Sequence, residues 1–476
     1  MHSIQFHRPA LARPCVPLVA LFTALLFGQW AKADEAVAAI EPEPVPLTRD
    51  DMKRALDASK QSVPRLPLPP VTEEEQALIE EQKAQAAASG EKPRRLGLAN
   101  NGRMRAYYLP EYGFARSADI DRARSGTYRQ RGGSNLDPIL RTMIFWIVSR
   151  GNNCTYCLGH QESGLAGRDV SDDELAALDG DWSEFDAARQ AAFQFAHKLS
   201  FEPYAIVDSD IQALRGHYND AEITDIVAAV AGFNATNRWT GPLRIKQDVS
   251  FQFTRPTSPK YAAAISRVAP LAQTKAATGM AAPAVRPRPP LETPDEVQSH
   301  LATARTRTPR LPLANESDAR AALGDESTDA VPAQWVRLLA AQSNAGGERI
   351  QSYQAVLEKG TLDPRYKAII AYIGARHDRA WYALGHAIAR LKKLGFSSEE
   401  ILALDTPEDI SSPADRQVAL FARKITVDPA LADDGDFSRL KEHFEDKQVA
   451  EVVYQVTQAA YFDRLTEAAG LQLEID

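Results

Sequence analysis

The feature that most limits how this chain can fold is an internal repeat at a constant offset of 226 residues. Leu136-Asp137-Pro138 recurs as Leu362-Asp363-Pro364, and Gly159-His160 recurs as Gly385-His386. Four single residues match at the same offset: Lys198 and Lys424, Pro203 and Pro429, His217 and His443, Arg238 and Arg464. A gap-free match over about 110 residues indicates a tandem duplication. We therefore predict two homologous domains, at residues 135–245 and 361–471.

The residue patterns within each copy are helical. Pro138 suits a first helical turn, and apolar residues follow it at helical spacing: Ile139, Met143, Ile144 and Ile147. Ser171 precedes Glu174 with the spacing of a helix-starting capping box, and Ser397 precedes Glu400 in the same way. No convincing alternating strand pattern is visible. The sequence predicts an all-α fold of two helical bundles.

The segments outside the copies differ in composition. Residues 34–134 and 293–360 form two leaders with helices and Pro-rich stretches, and they share the motif Arg65-Leu66-Pro67-Leu68 with Arg310-Leu311-Pro312-Leu313. Residues 255–292 are rich in Pro, Ala and Thr. That composition is typical of an extended linker between the two domains.

The first 33 residues have the layout of a secretory signal peptide. Basic residues precede an apolar run at 16–28, and Ala31-Lys32-Ala33 supplies a small-residue cleavage site. We expect an exported protein, periplasmic or secreted, with no stable membrane span after cleavage. The alternative is a retained membrane anchor. The net charge of −8 and the pI near 5.7 argue against a nucleic-acid partner.

The run Cys154-Thr155-Tyr156-Cys157 followed by His160 carries the chemistry. The third cysteine, Cys15, lies in the signal peptide, so the mature chain would hold one pair of thiols. On a helix, Cys154, Cys157 and His160 share one broad face. Two thiols this close can form and exchange a disulfide in an oxidising compartment. Zinc lacks an obvious fourth ligand, so we expect neither a metal nor a cofactor.

The local sequence suggests a division of labour between these residues. Asn152 and Asn153 stand where a helix could begin, which would place Cys154 in the first turn, where the helix dipole lowers a thiol pKa. Cys154 would then be the better thiolate, Cys157 would close the disulfide, and His160 would shuttle the proton. Possible accessory residues are Tyr156, Glu162 and Arg238.

The second copy has lost the thiols. Ala380 stands opposite Cys154 and Ala383 opposite Cys157, whereas Tyr382 and His386 are kept. Because features present in both copies cannot depend on thiol chemistry, His160 could be catalytic or a packed, hydrogen-bonded residue. His217 is expected to be structural. Arg238 and its counterpart Arg464 are expected to make a shared buried contact, although Arg238 could also bind a substrate anion.

The core at Leu136–Arg244 resembles the carboxymuconolactone decarboxylase and alkyl-hydroperoxidase D-like family. The matching segments are Leu136-Asp137-Pro138, Asn153 to Cys157 with His160, Ser171 to Leu178, Phe193 to Leu199, and Phe233 to Arg238. Residues 361–471 look like a second, degenerate copy. The resemblance implies an all-helical fold, trimers or hexamers, and a thiol pair in which Cys157 attacks the peroxide and Cys154 is its partner. This order reverses the helix-dipole assignment, and the sequence leaves it open.

Two positions depart from the pattern that the resemblance implies. The glutamate expected twelve residues before the first cysteine is Thr142, and the histidine expected four residues after the second is Gln161. Threonine cannot act as a general base near neutral pH. The usual proton relay is therefore incomplete, while dithiol exchange remains possible.

These observations predict an exported thiol-redox enzyme, related to alkyl hydroperoxidases and expected to form a homo-oligomer. Its partner would be a small-molecule hydroperoxide or a protein dithiol or disulfide. The second domain would support packing or assembly. One alternative is a non-catalytic helical protein that binds a partner and holds a static disulfide. Another is a cofactor-free decarboxylase of a small lactone acid, whose activity would survive loss of both cysteines.

Overall fold

The computed structural model describes residues 42–90, 93, 95–124, 134–262, 271, 274–275, 280–324, 331–342 and 346–475. The predicted signal peptide, residues 1–33, lies outside them, as does Cys15. The described chain is all-α, as predicted. Its two strands, β1 (Val45–Pro46) and β2 (Met280–Ala281), have two residues each and pair antiparallel. None of the described helices is both long and apolar enough to cross a bilayer.

Helices of the first leader and first copy come first along the chain. The leader holds α1 (Arg49–Ala58), α2 (Glu73–Ser89), α3 (Asn100–Tyr108) and α4 (Arg116–Arg124). The copy holds α5 (Pro138–Gly151), α6 (Thr155–Ala166), α7 (Asp172–Ala177), α8 (Ala187–Phe201), α9 (Asp208–Arg215) and α10 (Asp220–Thr240).

The linker and second leader add α11 (Pro259–Ala262), α12 (Pro294–Ala304), α13 (Glu316–Leu323), α14 (Gln334–Ala340) and α15 (Gly346–Glu358). The second copy holds α16 (Pro364–Asp378), α17 (Trp381–Lys393), α18 (Ser398–Ala403), α19 (Pro413–Val427), α20 (Asp434–Lys441) and α21 (Asp446–Ala469). Each of these six helices begins 226 residues after its counterpart in α5–α10.

The matching start points have a local cause. Asp137 and Asp363 cap α5 and α16 by accepting backbone N–H groups, with proline as the next residue in each case. Ser171 and Ser397 complete capping boxes at α7 and α18, as their spacing predicted. The same short-range signals therefore start the same helices twice.

The two copies pack against each other through reciprocal contacts. Arg238 on α10 donates to the Thr426 carbonyl at 2.9 Å, and Arg464 on α21 donates to the Ser200 carbonyl at 2.8 Å. Thr426 and Ser200 are themselves counterparts in the repeat. Because each copy offers the other the same contact, the interface has the self-complementary character of a two-fold dimer, here made within one chain.

The Arg-Pro-Arg-Pro-Pro end of the linker lies between the copies. Arg286 donates to the Gly151 carbonyl at 3.1 Å, and Arg288 donates to the His377 carbonyl at 2.8 Å. Gly151 and His377 are again counterparts. Two arginines separated by a single proline thus bind the ends of α5 and α16, so this stretch is a structural part of the interface.

Candidate functional site

The thiol pair is placed by a sharp turn between α5 and α6. Asn153 has a left-handed backbone with φ of 48°, a conformation that asparagine tolerates better than most residues. The turn lets the Cys154 N–H donate to the Ser149 carbonyl at 2.9 Å. Cys154 is the N-cap residue of α6, one position earlier than the sequence suggested, and its sulfur accepts the Cys157 N–H at 3.4 Å.

Both sulfurs meet at one hydroxyl group. Thr240, the last residue of α10, holds its Oγ1 3.0 Å from the Cys154 sulfur and 3.0 Å from the Cys157 sulfur. The same hydroxyl lies 2.9 Å from the Thr236 carbonyl. A hydroxyl has one proton, so it can donate to only one of these three acceptors at a time. Thr240 can therefore turn its proton toward whichever sulfur becomes an anion.

The environment separates the acidities of the two thiols. Burial raises the pKa of Cys154 well above its usual value, and the adjacent Cys157 sulfur opposes ionisation further. Burial also acts to raise the pKa of Cys157. Hydrogen bonds from Cys154, Thr240 and Asn237, together with the charge of Arg105, outweigh it and lower that pKa overall. These directions favour Cys157 as the thiolate, the order that the resemblance implies and the reverse of the helix-dipole prediction for Cys154, through the hydrogen bond with Cys154 and through donors distant along the chain.

Arg105 is a site residue that the sequence did not reveal. It lies on α3 in the leader, and its guanidinium group stands 5.8 Å from the Trp239 ring and 6.0 Å from the Tyr454 ring. Tyr454 belongs to α21 of the second copy. The leader therefore contributes a charge that lowers the pKa of Cys157, and the second copy packs against the arginine that carries it, which no pattern local to the thiol pair could indicate.

A buried polar network continues from the thiols to the interface. Ser149 accepts from the side chains of Gln161 at 3.0 Å and Asn237 at 3.1 Å. Asn152 donates to Asn237 and Asn234, and Asn234 accepts from Arg238 at 3.1 Å. Gln161 therefore supports the packing of α5 against α6.

His160 pairs with an acid that lies just beyond the predicted domain boundary. Its Nε2 is 3.1 Å from Asp248, whose other oxygen accepts from the Tyr156 hydroxyl at 2.9 Å. Burial acts to raise the pKa of Asp248, but the charge and hydrogen bond of His160 and the Asn100 N–H lower it overall. Among the described residues, the polar partner of His160 is this carboxylate and neither sulfur.

The second copy repeats this triad without the thiols. Tyr382 donates to Glu474 at 2.8 Å, and His386 Nε2 lies 3.5 Å from the same carboxylate. Glu474 follows Asp248 at the repeat offset, a signal that extending the alignment by three residues would have found. The triad persists in the second copy, where no thiol exists. Its main role is therefore structural: it holds α6 against the chain that follows α10.

Glu162 and Arg238 serve the framework. Glu162 is buried, receives two hydrogen bonds from Arg49 on α1 at 2.6 and 2.8 Å, and accepts from the Trp146 indole at 3.1 Å. Arg238 is fully buried at the copy interface, where burial and the neighbouring Arg464 lower its pKa to about 9. Its contacts are those expected of a shared buried arginine.

Thr142 and Gln161 offer no proton relay. The Thr142 hydroxyl donates to the Pro138 carbonyl within its own helix, and Gln161 carries no titratable group. In the described parts of the chain, no group of three or more His, Cys, Asp or Glu side chains is placed to hold a metal ion.

The glycine of the repeated Gly-His pair marks a close approach. A Cβ on Gly159 would lie 2.1 Å from the Gln247 side-chain nitrogen, and a Cβ on Gly385 would lie 2.6 Å from Leu473.

We expect Gly159→Ala to destabilise the protein by about 1–3 kcal/mol through overpacking. Gly164→Ala in the same helix, where the nearest atom is 3.7 Å away, should be neutral or stabilising by up to about 1 kcal/mol. Urea unfolding of both variants tests the contrast; equal stabilities would contradict it.

No family model matches the chain. The chain is 24% identical over 119 residues to the uncharacterized protein YnjA of Escherichia coli (strain K12). That match covers 24% of this chain and 65% of YnjA, so it spans a little under two thirds of the relative's length.

Proposed function

We propose that this chain is an exported thiol-redox protein of the carboxymuconolactone decarboxylase and alkyl-hydroperoxidase D-like family. Its reaction is hydroperoxide reduction or dithiol–disulfide exchange through Cys154 and Cys157. One observation carries the proposal: both sulfurs lie 3.0 Å from the Thr240 hydroxyl, and their pKa values move in opposite directions. An attacking thiolate needs a low pKa, while its partner keeps a proton to give up later.

With a hydroperoxide, the Cys157 thiolate attacks the terminal oxygen and the O–O bond breaks. The sulfur becomes a sulfenic acid, and the leaving alkoxide takes a proton to give an alcohol. The Cys154 sulfur then attacks the Cys157 sulfur, forming the disulfide and releasing water. An external dithiol restores both thiols by exchange and leaves as its own disulfide.

Burial of the pair favours a small oxidant. Cys154 is 1% exposed and Cys157 is 4% exposed, so a protein disulfide could reach neither sulfur without opening of the surrounding helices. A hydroperoxide needs a much smaller opening. His160 follows Cys157 by about one turn on α6, lies 3.1 Å from Asp248 and has a side chain that is 26% exposed, so this side of the thiol pair is the nearer to solvent.

The second copy packs against the first and stabilises it. Its alanines at 380 and 383 exclude thiol chemistry, while its reciprocal arginine contact and Tyr454 complete the surroundings of the first copy. One chain thereby supplies two positions that separate subunits occupy in a homo-oligomer, and further assembly would use other faces.

The proposal is tested by adding one equivalent of cumene hydroperoxide to the reduced protein, then alkylating under denaturing conditions. We expect peptide mass mapping to find Cys154 joined to Cys157, and dithiothreitol to restore both thiols in the folded protein. The Cys154→Ser variant is the control and should stop at a dimedone-trappable sulfenic acid on Cys157. Two thiols that remain fully alkylated after peroxide treatment would rule the proposal out.

The burial of both sulfurs also favours a second candidate, a partner-binding protein with a static Cys154–Cys157 disulfide. The reduction potential of the pair separates the two functions. A potential below about −300 mV is typical of structural disulfides in secreted proteins, whereas redox-active pairs lie between about −270 and −120 mV.

A further inference from the structure

The second copy carries an apolar pocket that the thiol chemistry does not use. Its volume is about 530 Å³, within the range of about 300–1,000 Å³ typical of small-molecule sites. Its apolar lining comes from α19, the turn after it and the linker: Leu420, Phe421, Val427, Leu431 and Val285. The thiol site shares none of these residues.

An aromatic ring occupies the equivalent position in the first copy. There the ring of Phe201 lies over Gly151, so close that a Cβ on that glycine would meet the ring at 2.1 Å. The guanidinium group of Arg286 stacks 3.5 Å from the same ring. In the second copy, Val427 replaces the phenylalanine and removes its ring, and His377 takes the place of Gly151. The matching Arg288 donates to the His377 and Val427 carbonyls at 2.8 and 3.3 Å.

Two further replacements make the pocket apolar. Leu420 stands where the first copy has the exposed Gln194, and Leu431 stands where it has Ala205. Leucine in place of an exposed glutamine adds apolar area to this surface. Such area is more stable when a bound molecule removes it from water. The changes from the first copy therefore act together, one opening the space and two lining it.

One polar atom in the pocket lacks a partner. His377 Nε2 is buried and makes no hydrogen bond with any described residue. Burial, with the charges of Arg288 and Arg423, lowers the pKa of His377 to about 4, so the imidazole is neutral near neutral pH. A neutral imidazole nitrogen can donate to or accept from a ligand hydroxyl or carbonyl. Leaving it unpaired in a buried site costs free energy.

The charged residues at the rim are already balanced. Lys424 pairs with Asp433 and Asp436 at 2.7 Å, and Arg439 pairs with Asp436 at 2.7 Å. Arg423 pairs with Glu408. Three cations facing three carboxylates offer little attraction to a charged ligand, so the site favours a neutral molecule.

We propose that this pocket binds a compact, neutral, largely apolar molecule, such as a phenol or an aliphatic alcohol, whose hydroxyl group pairs with His377 Nε2. The walls of Leu420, Phe421, Val427 and Leu431 cover its apolar body, and the histidine orients its polar end. The site is independent of the thiol pair, so it would bind whether or not Cys154 and Cys157 are redox-active.

The proposal is tested by titrating the purified full-length protein with 1-naphthol and with naphthalene in a calorimeter. We expect saturable binding of 1-naphthol at one site and weaker binding of naphthalene, which cannot pair with His377. His377→Leu should bring the two affinities close together. Absence of saturable 1-naphthol binding, or equal affinity of the wild type for both probes, would overturn the proposal.

Variants that restore residues of the first copy locate the binding. Leu420→Gln and Leu431→Ala should each weaken 1-naphthol binding by about tenfold or more, as expected when apolar contact is removed from a pocket. The reciprocal Gln194→Leu, on the first copy, should leave the affinity unchanged. Circular dichroism melting checks that each variant is folded. Unchanged affinity in both pocket variants would place the ligand elsewhere and refute the assignment.

Discussion

Replacing Cys157 by serine is expected to lower hydroperoxide turnover by at least about a hundredfold, because a serine hydroxyl does not ionise near neutral pH. Cys154 cannot take over, since burial raises its pKa well above the usual value. Cys154→Ser should consume the first equivalent through Cys157 and then turn over slowly, because dithiothreitol must reduce a buried sulfenic acid directly in place of the Cys154–Cys157 disulfide. Peroxide loss in the presence of dithiothreitol, followed over the first equivalent and then at steady state, distinguishes the two variants.

Thr240→Val provides a near-isosteric control that leaves both thiols in place. It removes the hydroxyl that lies 3.0 Å from each sulfur. Because a hydrogen bond to a charged group contributes about 1.5–3 kcal/mol, the pKa of Cys157 should rise by about one to two units. Ultraviolet absorbance of the thiolate against pH measures that rise.

Equal turnover in wild type, Cys154→Ser and Cys157→Ser would end the thiol-redox proposal.

Replacing Asp378 by asparagine is expected to destabilise the protein by about 3–5 kcal/mol, the usual cost of removing one partner from a buried ion pair. Asp378 and Arg464 are both fully buried, and their nearest atoms are 2.7 Å apart. Arg288 lies 3.3 Å from the same carboxylate. Asparagine has nearly the same shape and stands at this position in the first copy, as Asn152, so the loss reports charge rather than packing.

The same variant should change the pH dependence of stability. Burial acts to raise the pKa of Asp378, but Arg464, Arg288 and Arg238 lower it overall. A carboxyl with a depressed folded-state pKa stabilises the protein above its unfolded pKa, about 3.9, and loses that contribution as the pH falls toward the folded value. Urea unfolding from pH 7 down to pH 3 should therefore show a smaller decline for Asp378→Asn than for wild type.

An exposed ion pair serves as the control for this prediction. Lys441 and Asp446 lie 3.0 Å apart and both remain partly exposed. Because solvent screens such a pair, Lys441→Gln should cost less than about 1 kcal/mol. A loss for Asp378→Asn no larger than that of Lys441→Gln would show that the buried arginines are compensated by other groups.

The repeat and the helices were accessible from the sequence because their causes are local. Caps such as Asp137 and Ser171 act within a few residues, and helical spacing of apolar residues needs no distant partner. Asp248 and Glu474 lie three residues beyond the predicted ends of the two copies. Both acids follow the ends of α10 and α21, where the helical spacing of apolar residues no longer indicates that the repeat continues.

What the sequence by itself determined is the helical class, the duplication and the position of a single thiol pair, since each follows from short-range spacing and composition. Only the tertiary structure brings three of the groups that lower the pKa of Cys157 beside it, because besides its neighbour Cys154 these are Thr240 and Asn237 on α10 and Arg105 on α3. It also decided that His160 faces Asp248 and that Arg238 lies in the copy interface. Acidity and burial depend on neighbours that are distant along the chain, and only folding brings those neighbours together.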